Sequence, residues 1–146
     1  MEATSRVLDL IPTLLEKLPF QASDVSRITG VPLTKDPERS NAAYEIYRAE
    51  SAKGPLTAVE VRQRQSPKPG KHGLVLLDVS DKACISQQQV QKRFGEKPDG
   101  LSVPTPHQPS DSPVYLTYKQ SWGELRLGFA QTGSRCLVSI VLDATK

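Results

Sequence analysis

WGELRLGFAQTGSRCLVSIVLDA, residues 122–144, holds two apolar stretches separated by a tight polar turn. In the first stretch Leu125, Leu127 and Phe129 recur at every second position, which is typical of a strand with one buried face. The second stretch is apolar over most of its length, and the intervening QTGS has the composition of a hairpin turn. We therefore expect an antiparallel pair of strands at this end of the chain.

Similar elements occur in the same order earlier in the chain. DVSRITG (Asp24–Gly30) and QVQKRFG (Gln89–Gly95) both predict a short amphipathic helix that ends at a glycine. Each is followed by a Pro-containing polar loop, a tyrosine pair (YEIY from Tyr44, YLTY from Tyr115), a Gly turn and an apolar run. Self-similarity at a long period is a signal of fold organisation, with chance matching of short apolar patterns as the alternative.

We interpret this order as a duplication, with a first unit over residues 1–80, which carries an additional N-terminal helix, and a second over residues 81–146. The expected fold class is α+β: two tandem helix-plus-antiparallel-meander units that form a curved sheet with helices on one face. Helices are expected over residues 5–18, 23–29 and 86–94, and strands over residues 43–50, 57–65, 72–80, 114–120, 123–131 and 135–144.

Composition excludes several functional classes. The 146 residues are 37% hydrophobic and 24% charged, and their formal net charge of +3 is too small to indicate nucleic-acid binding. The longest apolar runs are too short to span a bilayer. Phosphate loops, nucleophile elbows and zinc motifs are absent, and His72 and His107 stand without further ligands at suitable spacing. We expect no enzyme activity, no metal and no cofactor.

Two cysteines, Cys84 and Cys136, permit one disulfide, although a pair of buried free thiols fits the sequence equally well. The chain opens on the polar MEATSR, so we expect no signal peptide in the given sequence. Met1 would fit a start codon placed before a mature exported domain, and equally the start of a cytosolic protein. We expect a periplasmic or secreted protein, with the cytoplasm left open.

One face of the predicted sheet packs against helices, and the other meets water or a partner. Because Val59 and Val61 alternate with Glu60 and Arg62, the charged pair is expected on the second face. A mixed-charge face that also carries Tyr, Trp and Arg has the composition of a protein-binding surface. The candidate partner-binding residues are Tyr47, Glu60, Arg62, Tyr115, Lys119, Trp122 and Arg126.

Three alternatives to this surface remain open. The face could be an ordinary solvated sheet face with cross-strand ion pairs. Trp122 could cover the core instead of contacting a partner. The Pro-rich loop over residues 96–113 is long enough to reach into an enzyme cleft and could be the binding element itself.

The segments QVQKRFGEKP, VYLTY, WGELRLGF and CLVSIVLD resemble the β-lactamase inhibitor protein family, and also the single-unit outer-membrane assembly lipoproteins that are similar to it. The resemblance covers residues 83–144 and, more weakly, 23–80. It implies two tandem units whose concave sheet face grips an enzyme, in a secreted or periplasmic binder. The family tends to carry a disulfide in each unit, whereas this chain has two cysteines in total, so the cysteine pattern does not transfer.

These observations predict a protein-binding inhibitor. We expect an immunity protein or an enzyme inhibitor that blocks a secreted or toxin-like enzyme. The alternative is a structural adaptor module of the cell envelope, of the outer-membrane assembly type. The two differ in stoichiometry, because an inhibitor forms a tight one-to-one complex and an adaptor belongs to a larger assembly.

Overall fold

The computed structural model describes residues 2–50, 54–66, 68–80, 82–109 and 112–145, with the backbone alone for residues 2–5. Within these ranges the chain forms three α-helices and eight β-strands. The helices are α1 (Glu2–Leu15), α2 (Ala22–Thr29) and α3 (Gln87–Phe94). The strands are β1 (Thr34–Lys35), β2 (Tyr44–Glu50), β3 (Leu56–Arg64), β4 (Gly73–Val79), β5 (Gly100–Ser102), β6 (Val114–Gln120), β7 (Gly123–Phe129) and β8 (Leu137–Ala144).

Local sequence signals set the ends of the shorter helices. The Ser86 hydroxyl accepts the Gln89 backbone N–H at 3.1 Å, and the Gln89 side chain accepts the Ser86 N–H at 2.8 Å, which is a capping box at the start of α3. At the end of α2, Gly30 adopts a left-handed conformation with φ 73° and donates its N–H to the Ser26 carbonyl.

All eight strands belong to one antiparallel sheet in the order β1-β2-β3-β4-β8-β7-β6-β5. The centre of the sheet is the pairing of β4 with β8, in which Val75 lies opposite Leu142 and Leu77 opposite Ile140. These four side chains are fully buried. The long-range contact between β4 and β8 therefore joins the two parts of the chain through their most apolar strands.

The hydrophobic core lies on one face of this sheet. Side chains of α1, α2 and α3 pack in a single cluster with the inward-facing residues of β3, β4, β6, β7 and β8. The cluster includes Leu14, Val25 and Val90 from the helices, each at most 1% exposed. The described chain therefore has one hydrophobic core, to which all three helices contribute.

The expectation of two tandem helix-plus-meander units is wrong. The described chain is one eight-stranded antiparallel sheet with three short helices, and it is mostly sheet. The physical reason is the pairing of β4 with β8 in the centre of the sheet, over one core that the three helices share, so the described chain does not divide into two helix-plus-meander units. The predicted boundary at residue 80 falls between β4 and α3 and stays a prediction.

Two short edge strands and one disulfide complete the fold. The strands β1 and β5, at opposite edges of the sheet, lie in segments expected to be loops. Cys84 and Cys136 form a disulfide that connects the segment before α3 to the start of β8. Beside it, the Leu137 N–H donates to the Ile85 carbonyl at 2.7 Å, so a backbone hydrogen bond supports the same junction.

Candidate protein-binding surface

The face of the sheet that lies away from the helices is called the open face here. On β3, Val59 and Val61 are at most 1% exposed and point to the core, so Glu60 and Arg62 point to the open face. The register carries this alternation across the sheet, because residues paired on adjacent strands share a face. One row across the open face is Arg48, Glu60, Leu76, Val141, Arg126 and Thr117.

The middle of the open face is apolar. Leu74 and Leu76 on β4 lie beside Val141 on β8, and Leu74 and Val141 are only 8% and 5% exposed. No described helix covers them. Arg62 lies opposite Leu74 and Arg126 opposite Val141 in the strand register, so the aliphatic stems of these arginines start next to the apolar side chains. The result is an apolar strip with a charged cluster on each side.

The first charged cluster is centred on Glu60. Its carboxylate accepts hydrogen bonds from Arg39 at 2.7 and 3.3 Å and from the Nε of Arg62 at 3.0 Å. Burial raises the pKa of Glu60, but the hydrogen bonds and charges of Arg39 and Arg62 outweigh it, and the net pKa lies below the ordinary value. Arg39 comes from the loop between β1 and β2, so this cluster also ties that loop to the sheet.

The second charged cluster is centred on Arg126. Its guanidinium donates to Glu124 at 2.9 Å and to Asp143 at 3.0 Å. Asp143 is 6% exposed, and its other oxygen accepts the hydroxyl and the N–H of Thr145. Burial raises the pKa of Asp143. The hydrogen bonds from Thr145, and next the hydrogen bond and charge of Arg126, lower the pKa by more than burial raises it, so the net pKa lies below the ordinary value.

Tyr115 lies flat on the open face because the residue opposite it is a glycine. A Cβ at Gly128 would lie 2.7 Å from Cε1 of the Tyr115 ring, a contact too short to exist. The Tyr115 hydroxyl reaches the Ser139 hydroxyl at 3.4 Å across the sheet. The pairing of an aromatic residue with a cross-strand glycine therefore holds the ring in place over β7 and β8.

A depression of about 230 Å³ opens between these features. Its lining includes Glu60 and Leu76 on one side and Tyr115 and Ser139 on the other. The side chain of Asp78, on β4 between them, has no hydrogen bond or ion pair with any residue that the structure describes. Burial, and next the charge of Glu60, raise the pKa of Asp78 above its ordinary value. An exposed acidic side chain without a cationic partner thus stands near the end of β4 on the open face.

Sequence reasoning missed Asp78, although its signal was present. GLVLLDV places one carboxylate in a strand that is otherwise apolar. Such a residue either carries a buried partner or faces away from the core. The register with Ser139 decides between these, since it places Asp78 on the open face.

Five of the seven candidate residues do lie on the open face. Glu60, Arg62 and Arg126 take part in the two clusters, and Lys119 lies opposite Glu124 at the edge of the second one. Tyr115 borders the depression. The structure therefore brings these five together on one face of the sheet.

The other two candidates lie on the side of the helices. Tyr47 is paired with Val61, so it shares the packed face and lines a groove with Ala22 and Leu33. Trp122 is half-buried and packs against the core beside Leu15 at the turn between β6 and β7. The expected position of Tyr47 on the open face is wrong, because its pairing with Val61 turns it toward the helices, and its role in binding a partner stays a prediction.

Other classes of site have little support in the described residues. Both cysteines are in the disulfide, and no group of three or more His, Cys, Asp or Glu side chains in these ranges could hold a metal ion. No helix in the same ranges is long and apolar enough to cross a membrane. Comparisons with family models, curated proteins and solved structures gave no match. The resemblance to the β-lactamase inhibitor protein family stays a prediction.

Proposed function

We propose that the protein is a binder that blocks another protein through its open face, as an immunity protein or inhibitor of a secreted or toxin-like enzyme. One observation carries this proposal. Asp78 stands without a partner in a depression on a sheet face that no described helix covers, between two clusters of fixed arginines and carboxylates. Charged groups arranged around an apolar centre are typical of protein interfaces.

The size of the open face fits such a role. The six long strands, β2, β3, β4, β6, β7 and β8, have seven to nine residues each. With about 4.8 Å between strands and about 3.4 Å per residue, their open side measures about 29 by 24 Å, or about 700 Å². A standard protein interface covers about 800 Å² on each partner.

Preorganisation supports binding as well. Arg39, Arg62 and Arg126 are already held by carboxylates, and Tyr115 is held over Gly128. Immobilising a flexible side chain on binding costs about 0.5–1.5 kcal/mol, so side chains fixed in the free protein reduce the cost of association. The disulfide supports an oxidising compartment, which is where exported inhibitors act.

The test compares two variants with the same charge change on opposite faces. Asp78→Lys places a cation in the open-face depression, and Glu16→Lys places one on an exposed residue just after α1. Wild-type protein is immobilised and challenged with exported proteins, and each retained protein is then purified and assayed for complex stoichiometry and inhibition of its activity. We expect a one-to-one complex that blocks an enzyme, is lost in Asp78→Lys and survives in Glu16→Lys.

Three outcomes would contradict the proposal. Equal retention by Asp78→Lys and wild type, with loss on shortening the loop over residues 96–113, would move binding to that loop. Retention of a multi-protein assembly without any inhibited enzyme would favour the envelope adaptor. If no protein is retained by both the wild type and Glu16→Lys, the experiment shows no specific binding by the open face.

A further inference from the structure

A second cavity lies at the hairpin end of β3 and β4, outside the open-face depression. Its volume is about 360 Å³, and we call it the basic cavity. Its titratable lining residues are Arg64, Lys68, Lys71 and His72, and no carboxylate is among the described residues that line it. It shares no lining residue with the open-face depression.

Backbone hydrogen bonds hold the walls of the basic cavity in place. The Phe20 N–H donates to the His72 carbonyl at 2.8 Å, and the His72 N–H donates to the Ala144 carbonyl at 2.6 Å. The Lys71 ammonium donates to the Thr145 carbonyl at 3.1 Å. The basic side chains therefore start from a fixed junction of the hairpin, the segment before α2 and the end of β8.

Arg64 is held with part of its guanidinium unused. The guanidinium carbon lies 5.3 Å from the centroid of the Tyr44 ring, and Nε donates to the Ser66 carbonyl at 3.3 Å. The two terminal nitrogens of Arg64 have no acceptor among the described residues. Stacking on an aromatic ring fixes the plane of a guanidinium, which suits it for hydrogen bonds to an oxyanion.

The rest of the lining is largely apolar. Pro19, Phe20 and Pro69 contribute carbon surface next to the basic groups. A cavity that places cations beside carbon surface favours a ligand with an anionic head and an apolar body. The number of cations in the lining indicates how much negative charge the head group of the ligand should carry.

We propose that the basic cavity binds a phosphate monoester that carries a small apolar group. A monoester bears a charge of about −1.5 to −2 at neutral pH and three acceptor oxygens, which matches several cations better than a single carboxylate does. Lys68, Arg64 and Lys71 hold the phosphate, and the proline and phenylalanine surface takes the carbon group. This site is independent of the binding proposed for the open face.

The experiment uses phenyl phosphate as the probe, followed by backbone amide NMR of the full chain, with inorganic phosphate and benzoate as comparison ligands. We expect saturable shifts centred on residues 68–72, with phenyl phosphate binding more tightly than either comparison ligand. Lys68→Gln should weaken binding about fivefold, the effect of one exposed charge contact in water. Lys68→Arg should retain binding.

Lys82→Gln is the matched control, because it removes one exposed lysine beyond the other end of β4. It should leave the affinity for phenyl phosphate unchanged. Equal weakening by Lys82→Gln and Lys68→Gln would show attraction to net charge alone and overturn the site. Absence of saturable shifts at residues 68–72 in the folded wild type would overturn it as well. Benzoate binding as tightly as phenyl phosphate would refute the assignment to phosphate esters.

Discussion

Reduction of the disulfide between Cys84 and Cys136 should lower the free energy of unfolding by about 4 kcal/mol. The two cysteines are 52 residues apart, and in the chain-entropy model a closed loop of that length restricts the unfolded chain by about this amount. Ile85 and Leu137, which follow the cysteines, are fully buried and joined by a backbone hydrogen bond. We therefore expect the folded state to survive reduction, so that the loss arises in the unfolded state.

Urea denaturation of the wild type, with and without a thiol reductant, measures this effect without any mutation. With a slope of about 2 kcal/mol per molar urea, a loss of about 4 kcal/mol moves the midpoint down by about 2 M. The variant with both Cys84→Ala and Cys136→Ala is the control, since the reductant should not shift its midpoint. Coincident curves for oxidised and reduced wild type would refute the reasoning. Two titratable thiols in denatured, unreduced protein would refute the disulfide itself.

Three further predictions concern the open face. Gly128→Ala should destabilise the fold by about 1–3 kcal/mol, because the new methyl group would overlap the ring of Tyr115. Thermal denaturation measures the loss of stability, and an unchanged melting temperature would contradict the contact. Asp78→Asn should raise the free energy of unfolding at neutral pH and leave it unchanged near pH 3, because the raised pKa of Asp78 means that folding disfavours its charged form. Urea denaturation at both pH values measures this, and a lower stability of the variant at neutral pH would refute the prediction. Asp143 has a lowered pKa, so the stability that its charged form contributes is complete above the ordinary pKa of 3.8 and is lost as the pH falls through the lowered pKa. Asp143→Asn should therefore reduce the loss of stability at acid pH in urea denaturation, and an unchanged dependence of stability on pH would contradict the prediction.

Much of the local structure could be predicted from the sequence. The strands β2, β3, β4, β6, β7 and β8 were expected within two residues of their observed ends, because alternation at every second position is a local property of the chain. The helix expected over residues 86–94 agrees with α3 for the same reason, since the capping box at its start spans only four residues. The edge strands β1 and β5 were missed because two or three residues carry no detectable period.

The candidate surface was predicted in part. Glu60, Arg62 and Arg126 could be placed on one face because their own strands alternate clearly. Tyr47 could not, because YEIY has apolar groups on both faces and only the pairing with β3 decides which face turns toward the helices. The two charged clusters could not be predicted either. Arg39, for example, pairs with Glu60 from a loop whose path no local sequence pattern determines.

By itself the sequence determined what depends on neighbours along the chain: the strands, the helix caps and the faces of regularly alternating residues. Tertiary structure alone decided what depends on distant contacts. The pairing of β4 with β8 made the strands one antiparallel sheet over a shared core, without two tandem units, and it placed Asp78 near Tyr115. The bond between Cys84 and Cys136 was likewise open until the fold brought the two together. The physical reason is that such contacts are selected by the burial of the whole core, which no short segment of the chain contains.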